Sequence, residues 1–281
     1  MKSKFLFNYL ILALWLALSG CQSQLNTSVT STYDMKPTSS WPDQHRQVAI
    51  KSYLYAQMAN NTYGQGGDEY ERDGVDFVLP SSYTVNHFPN DDIGLAYSIY
   101  EKHKDDILVE VALVFRGTEG LSNWDDFWYG NLLAEQNIRA LALYKELREK
   151  LNQDGNSSVP IVLVGHSLGG ALAIHVALNS EETMNYFVFN SSPRFRLIES
   201  WESSRDPKQL FHMRYSIVET GEFLYALRFP ATEATQTYQP MNCDSHFKPF
   251  SSHGIEKLAE CLTRLAALND SNAKIEKRLK N

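Results

Sequence analysis

The strongest constraint in this 281-residue chain is residues 160–165, Pro-Ile-Val-Leu-Val-Gly, which run straight into His166-Ser167-Leu168-Gly169-Gly170 and then Ala171-Leu172-Ala173-Ile174. An aliphatic run without polar alternation marks a strand buried on both faces. The alanine-rich stretch behind it favours helix. A strand buried on both faces needs a layer of structure on each side. The expected architecture is therefore α/β, a mainly parallel central sheet with helices on both faces.

The junction between strand and helix carries chemistry. Gly165-His166-Ser167-Leu168-Gly169 has the form G-x-S-x-G. Turning from strand to helix within one residue strains the backbone at the serine, and side chains two positions either side would collide. The serine hydroxyl then stands above the sheet as a candidate nucleophile. The N–H of Leu168 and the positive end of the helix face the same space, where an oxyanion would develop. His166 is expected to point away from the hydroxyl and to be structural.

The rest of the chain alternates in the same way. Helices are expected over 44–59, 123–151 with a break near Gly130, 168–179 and 253–268. Strands are expected over 75–79, 84–88, 95–100, 107–115, 160–165, 186–189, 210–218 and 223–229. The chain divides into a leader at 1–20, a polar tether at 21–40, the folded domain at 41–269 and a polar, frayed tail at 270–281. Lys2 and Lys4 followed by the apolar residues 5–18 make a secretory leader, too short for a spanning helix of about 20 residues. It ends in Leu18-Ser19-Gly20-Cys21, similar to the bacterial lipobox, in which the cysteine is acylated after cleavage. By resemblance to enterobacterial lipoproteins, Gln22 in place of Asp implies the outer membrane, with the domain facing the periplasm, anchored to the membrane through the N-terminal lipid.

Composition narrows the function classes. Hydrophobic residues are 43% and charged residues 21% of the chain, ordinary for a globular protein. A net charge of −7 argues against nucleic acid as a partner. Three cysteines make neither a disulfide framework nor a four-cysteine zinc site. No dinucleotide fingerprint, P-loop or metal constellation is present in the sequence, so neither cofactor nor metal is expected.

On these residues the chain resembles the class 3, or fungal-type, lipases of the α/β-hydrolase fold, from about residue 44 to 266. Four segments carry the resemblance: Val114-Phe115-Arg116-Gly117-Thr118 with Asn123-Trp124, the elbow, Phe187 to Ser192-Pro193-Arg194, and Ser252-His253-Gly254. It implies Thr118 and Leu168 as oxyanion donors, and a lid in the aromatic-rich residues 121–133, which could equally pack the following helix. The family's aspartate is missing; Glu219-Thr220-Gly221-Glu222 stands in its place, and Glu222 is preferred over Glu219. Chain order Ser, acid, His leaves His253 and His246 for the base, and His253, ahead of the last helix, is preferred. Asp244 is the next acid candidate. With Cys21 lipidated, Cys243 and Cys261 remain as an even pair that could bridge in an oxidising compartment.

The expected activity is cleavage of carboxylic esters of lipids through an acyl-enzyme on Ser167. The alternatives are an esterase or thioesterase for short soluble substrates, and a silent envelope lipoprotein using the scaffold for binding.

Overall fold

A computed structural model describes residues 41–63, 75–88, 91–117, 130–180, 184–193, 213–222, 224–225, 236–243 and 253–279. Helix α1 (Asp43–Asn61) is followed by β1 (Val75–Phe77), β2 (Tyr83–Phe88), β3 (Tyr97–Lys104) and β4 (Ile107–Phe115). Then come α2 (Gly130–Gln153), β5 (Ile161–His166), α3 (Leu168–Asn179) and β6 (Asn185–Phe189). The chain continues through β7 (Arg214–Glu219), β8 (Thr237–Met241), α4 (Ile255–Ala266) and β9 (Lys277–Leu279).

Seven strands form one sheet in the order β2-β3-β4-β5-β6-β7-β8. The hairpins β2–β3 and β3–β4 are antiparallel, and every pair from β4 to β8 is parallel. All six residues of β5 are buried, as its unbroken aliphatic run requires. Strand pleating sends alternate residues to opposite faces. Ala112, Val114, Val162, Val164, Phe187 and Ile217 pack under α1 and α4. Val111, Leu113, Phe115, Leu163, Tyr186 and Val188 pack against α2 and α3. Two separate cores therefore hold the sheet, each large apolar side chain contributing about 1.5–3 kcal/mol. Within the first, Phe187 stacks between Tyr55 and Tyr215 at centroid distances of 4.4 and 5.2 Å.

Two expectations, one at the far edge of the sheet and one at the C-terminus in a separate pair of strands, are corrected. A strand was expected over 223–229, but Leu224 lies in a turn and Tyr225 is helical, its N–H donating to Glu222 O at 3.2 Å; residues 223 and 226–229 lie outside the described residues. Two adjacent parallel strands need a crossover between them, so the segment just after β7 leaves the sheet. The missed strand is β8, Thr-Tyr-Gln-Pro-Met. Its Pro240 broke the strand pattern in the sequence, yet a proline is tolerated at a sheet edge, and β8 is that edge.

The second correction concerns the C-terminus, expected as a loose tail over 270–281. Instead β9 pairs antiparallel with β1, Phe77 opposite Lys277. Lys277, 7% exposed, lies 5.1 Å over the Phe77 ring and donates to Glu256 at 2.7 Å and to Glu260, both on α4. The polar composition concealed a buried ion pair. Lys277→Met strands the buried Glu260 carboxylate and should cost about 3 kcal/mol or more in urea unfolding. Restoring most of that loss by adding Glu260→Gln would show that the unpaired charge is its source; a single variant as stable as wild type would contradict the pairing.

Cys243, just after β8, and Cys261, inside α4, form a disulfide across a sequence separation of 18. A loop of that size stabilises by about 3 kcal/mol in the chain-entropy model. Cys261→Ala should therefore lower the melting temperature by roughly 6–12 °C, given about 2–4 °C per kcal/mol for a domain of this size. An unchanged melting temperature in calorimetry would refute the bridge. Both sulfurs are buried, so reductant should act only slowly on the folded protein.

Candidate active site

The site is assembled where β4, β5, β6 and β7 reach their C-terminal ends. Ser167, at the turn from β5 into α3, has φ 55° and ψ −122°, a left-handed conformation that a side chain adopts only under strain. Neighbouring backbone makes the strain unavoidable. A Cβ at Gly165 would meet Gly169 O at 2.2 Å, and one at Gly169 would meet Phe115 O at 2.2 Å. The Ser167 carbonyl accepts three N–H groups, from Gly170, Ala171 and Ser192, at 3.1, 3.3 and 2.8 Å. These bonds hold the turn against relaxation. Leu168 opens α3, where the N–H groups of the first turn have no intrahelical acceptor.

Three side chains from separate segments meet here. Ser167 Oγ lies 3.0 Å from His253 Nε2, and His253 Nδ1 lies 2.8 Å from Glu222 Oε2. Glu222 is held in turn by the Leu224 N–H, which donates to the same oxygen at 3.0 Å. Its side chain is fully buried, whereas that of His253 is 15% exposed. The buried carboxylate accepts a hydrogen bond from Nδ1–H and so keeps the ring proton on that nitrogen, and Nε2 presents its lone pair to the serine hydroxyl. A serine oriented this way can lose its proton to the ring as it attacks an electrophile.

Glu219 sits elsewhere. It ends β7, and its Oε2 accepts the Cys243 N–H at 3.0 Å, while its own N–H donates to Asn190 Oδ1 at 2.8 Å. That carboxylate ties the end of β8 to β7.

Sequence reasoning missed Tyr63 and Asn190. Asn190 follows β6 at φ 42° and donates from Nδ2 to the backbone carbonyl of His253 at 2.9 Å. An asparagine directly after a buried strand was the available signal, since it tolerates positive φ. Tyr63, just beyond α1, bonds His166 Nδ1 at 2.7 Å; no motif marks it. His166 is buried, with one ring nitrogen bonded to Tyr63 Oη and the other to the His253 carbonyl.

Thr118, Asp244, His246, Arg194, Asn123 and Trp124 lie outside the described residues, as do Cys21 and residues 121–129 of the expected lid. Among the described residues, no group of three His, Cys, Asp or Glu side chains could hold a metal ion, and no helix is long and apolar enough to cross a membrane.

The mainly parallel sheet with its serine elbow, followed along the chain by a carboxylate and then a histidine, defines an α/β-hydrolase, a carboxylic ester hydrolase. Residues 112–193 match the family model of the class 3 lipases, the stretch from β4 through the elbow to the turn after β6. No curated protein matches the chain in sequence. Among solved structures, the chain is similar to the Rhizomucor miehei lipase in its propeptide complex, at 12% identity and a TM-score of 0.47, over 82% of this chain and 89% of that one. It is similar to lipase II from Rhizopus niveus at 16% identity and 0.46, over 68% and 81%. A Pyrobaculum calidifontis esterase matches at 11% identity and 0.36, over 83% and 94%.

Proposed function

We propose that this chain is a lipid-anchored serine hydrolase that cleaves carboxylic esters of lipids through an acyl-enzyme on Ser167. The observation that carries this reading is the hydrogen-bonded line from Ser167 through His253 to Glu222. Ser167 Oγ attacks the ester carbonyl carbon while its proton passes to His253 Nε2. Glu222 holds the Nδ1 proton and steadies the imidazolium. The oxyanion is met by the Leu168 N–H at the start of α3 and by Thr118, one residue beyond Gly117. Collapse breaks the ester C–O bond, and the leaving alkoxide takes the proton from His253. Water then repeats the sequence on the acyl-enzyme, returning the fatty acid and free serine. No step calls for a metal or cofactor.

Lipid as the substrate class is supported by the lipase match over residues 112–193 and by the lipobox, which would hold the enzyme at a membrane surface, in the periplasm on the outer membrane. The test is purified mature protein with a fluorophosphonate probe, esters of graded chain length and phospholipid vesicles. Labelling at Ser167 with turnover rising toward long acyl chains supports the proposal. Turnover confined to short soluble esters or thioesters would replace lipid as the substrate, and a protein that neither labels nor turns over would be a binding scaffold.

The anchor has its own test. Cys21→Ser should abolish incorporation of labelled palmitate and release the protein from the membrane fraction. Equal labelling of variant and wild type would overturn the address.

A further inference from the structure

His253 is gripped by its backbone as well as by its ring. Its carbonyl oxygen lies 2.7 Å from His166 Nε2 and accepts the Asn190 amide at 2.9 Å. A carbonyl can only accept, so His166 must carry its proton on Nε2. On the other side of the ring, Nδ1 lies 2.7 Å from Tyr63 Oη, and that oxygen accepts the Gly117 N–H at 3.1 Å. The tyrosine hydroxyl therefore donates its proton to Nδ1. The bonds run in one direction: Gly117 N–H to Tyr63, Tyr63 O–H to His166, His166 N–H to the His253 carbonyl. Gly117, Tyr63 and His166 are buried, where an unmade bond is costly.

From this geometry we infer that His166 is a positioning residue for the reaction: a neutral imidazole that sets the backbone of His253 and links it, through Tyr63, to the strand end that leads to Thr118. The inference rests on the reading of Ser167 and His253 as the reacting pair. His253 lies in a short turn before α4 with chain outside the described residues on its N-terminal side; an anchor on its own carbonyl fixes the ring far more closely than the helix alone. His166 must also remain neutral. Its ring centroid is 4.9 Å from that of His253, and His253 becomes cationic as the ester is attacked, so a second imidazolium would oppose the proton transfer. In the neutral ring Nδ1 keeps the lone pair that accepts the Tyr63 O–H.

The two nitrogens can be tested separately. Gln reaches about as far as Nε2, and Asn only as far as Nδ1. His166→Gln keeps the donor to His253 and should leave kcat within about threefold of wild type. His166→Asn keeps the Tyr63 side and loses the reach; kcat should fall about 10-fold or more with KM within about twofold, because substrate contacts are untouched. The rate of fluorophosphonate labelling should fall in step with kcat. In proton NMR, the low-field signal of the His253 Nδ1–H should persist in the Gln variant and move in the Asn variant. Equal kcat per labelled site in both variants, whatever their melting temperatures, would overturn the inference, as would loss in Gln and retention in Asn. Ser167→Ala run alongside keeps the two readings apart: if it retains activity, the reacting pair itself is wrong.

Discussion

Ser167→Ala should lower ester turnover by about four to six orders of magnitude while the protein unfolds at nearly the wild-type temperature. The first half follows from chemistry. Without Oγ there is no atom to form the acyl-enzyme, and His253 has nothing to deprotonate except a water held less closely. What remains is stabilisation of the oxyanion and binding, which alone leave a residual rate well above that of water. The second half follows from the backbone. Alanine retains the Cβ and thus the strain of φ 55° and ψ −122°, and the three N–H groups that hold the Ser167 carbonyl are indifferent to the side chain. The only bond lost is the one to His253 Nε2 at 3.0 Å. Turnover of esters and melting temperature, measured on the same preparation, check both halves. Activity within tenfold of wild type would remove the nucleophile from Ser167.

How much of this was legible beforehand depends on how local the determining physics is. The elbow was legible because its requirements fall within five consecutive residues, and the strand before it is buried so uniformly that no other element fits. The sheet's other edge was not, because Pro240 makes β8 look like a loop and only its edge position excuses it. The C-terminal strand was hidden for a related reason. Lys277 reads as surface charge until two α4 carboxylates, from a distant part of the chain, are seen around it. The relay through Tyr63 and His166 is of the same kind, since it joins residues 103 apart in sequence. His253 stood out by its place ahead of the last helix, whereas the choice between Glu219 and Glu222 turned on a backbone path that no pattern specifies.

That choice gives the second large effect, because the two glutamates are three residues apart, both buried, and engaged differently. Glu222 Oε2 accepts from His253 Nδ1 at 2.8 Å and from the Leu224 N–H at 3.0 Å. In Glu222→Gln a carbonyl in the place of Oε2 can still accept from both Leu224 and His253, but the amide carries no charge, so the imidazolium formed as Ser167 gives up its proton loses its buried counter-charge. With the amide turned over, its NH2 faces Nδ1 and forces the ring proton onto Nε2, the nitrogen that has to receive the serine proton. In either orientation the geometry survives and the base does not. Turnover should drop about 10⁴-fold with KM and melting temperature little changed. Glu222→Asp shortens the chain by one methylene while the Leu224 tether holds it back, so it too should lose most activity. Glu219→Gln is the contrast. Its carbonyl can still accept the Cys243 N–H that Glu219 Oε2 accepts at 3.0 Å, and its backbone N–H to Asn190 is untouched, so kcat should stay within about twofold. If Glu219→Gln were the dead variant and Glu222→Gln the active one, the proton on His253 Nδ1 would have to be held from β7. If both remained active, the imidazole would need no buried carboxylate at all, and the line drawn from Ser167 through His253 would stop at the histidine.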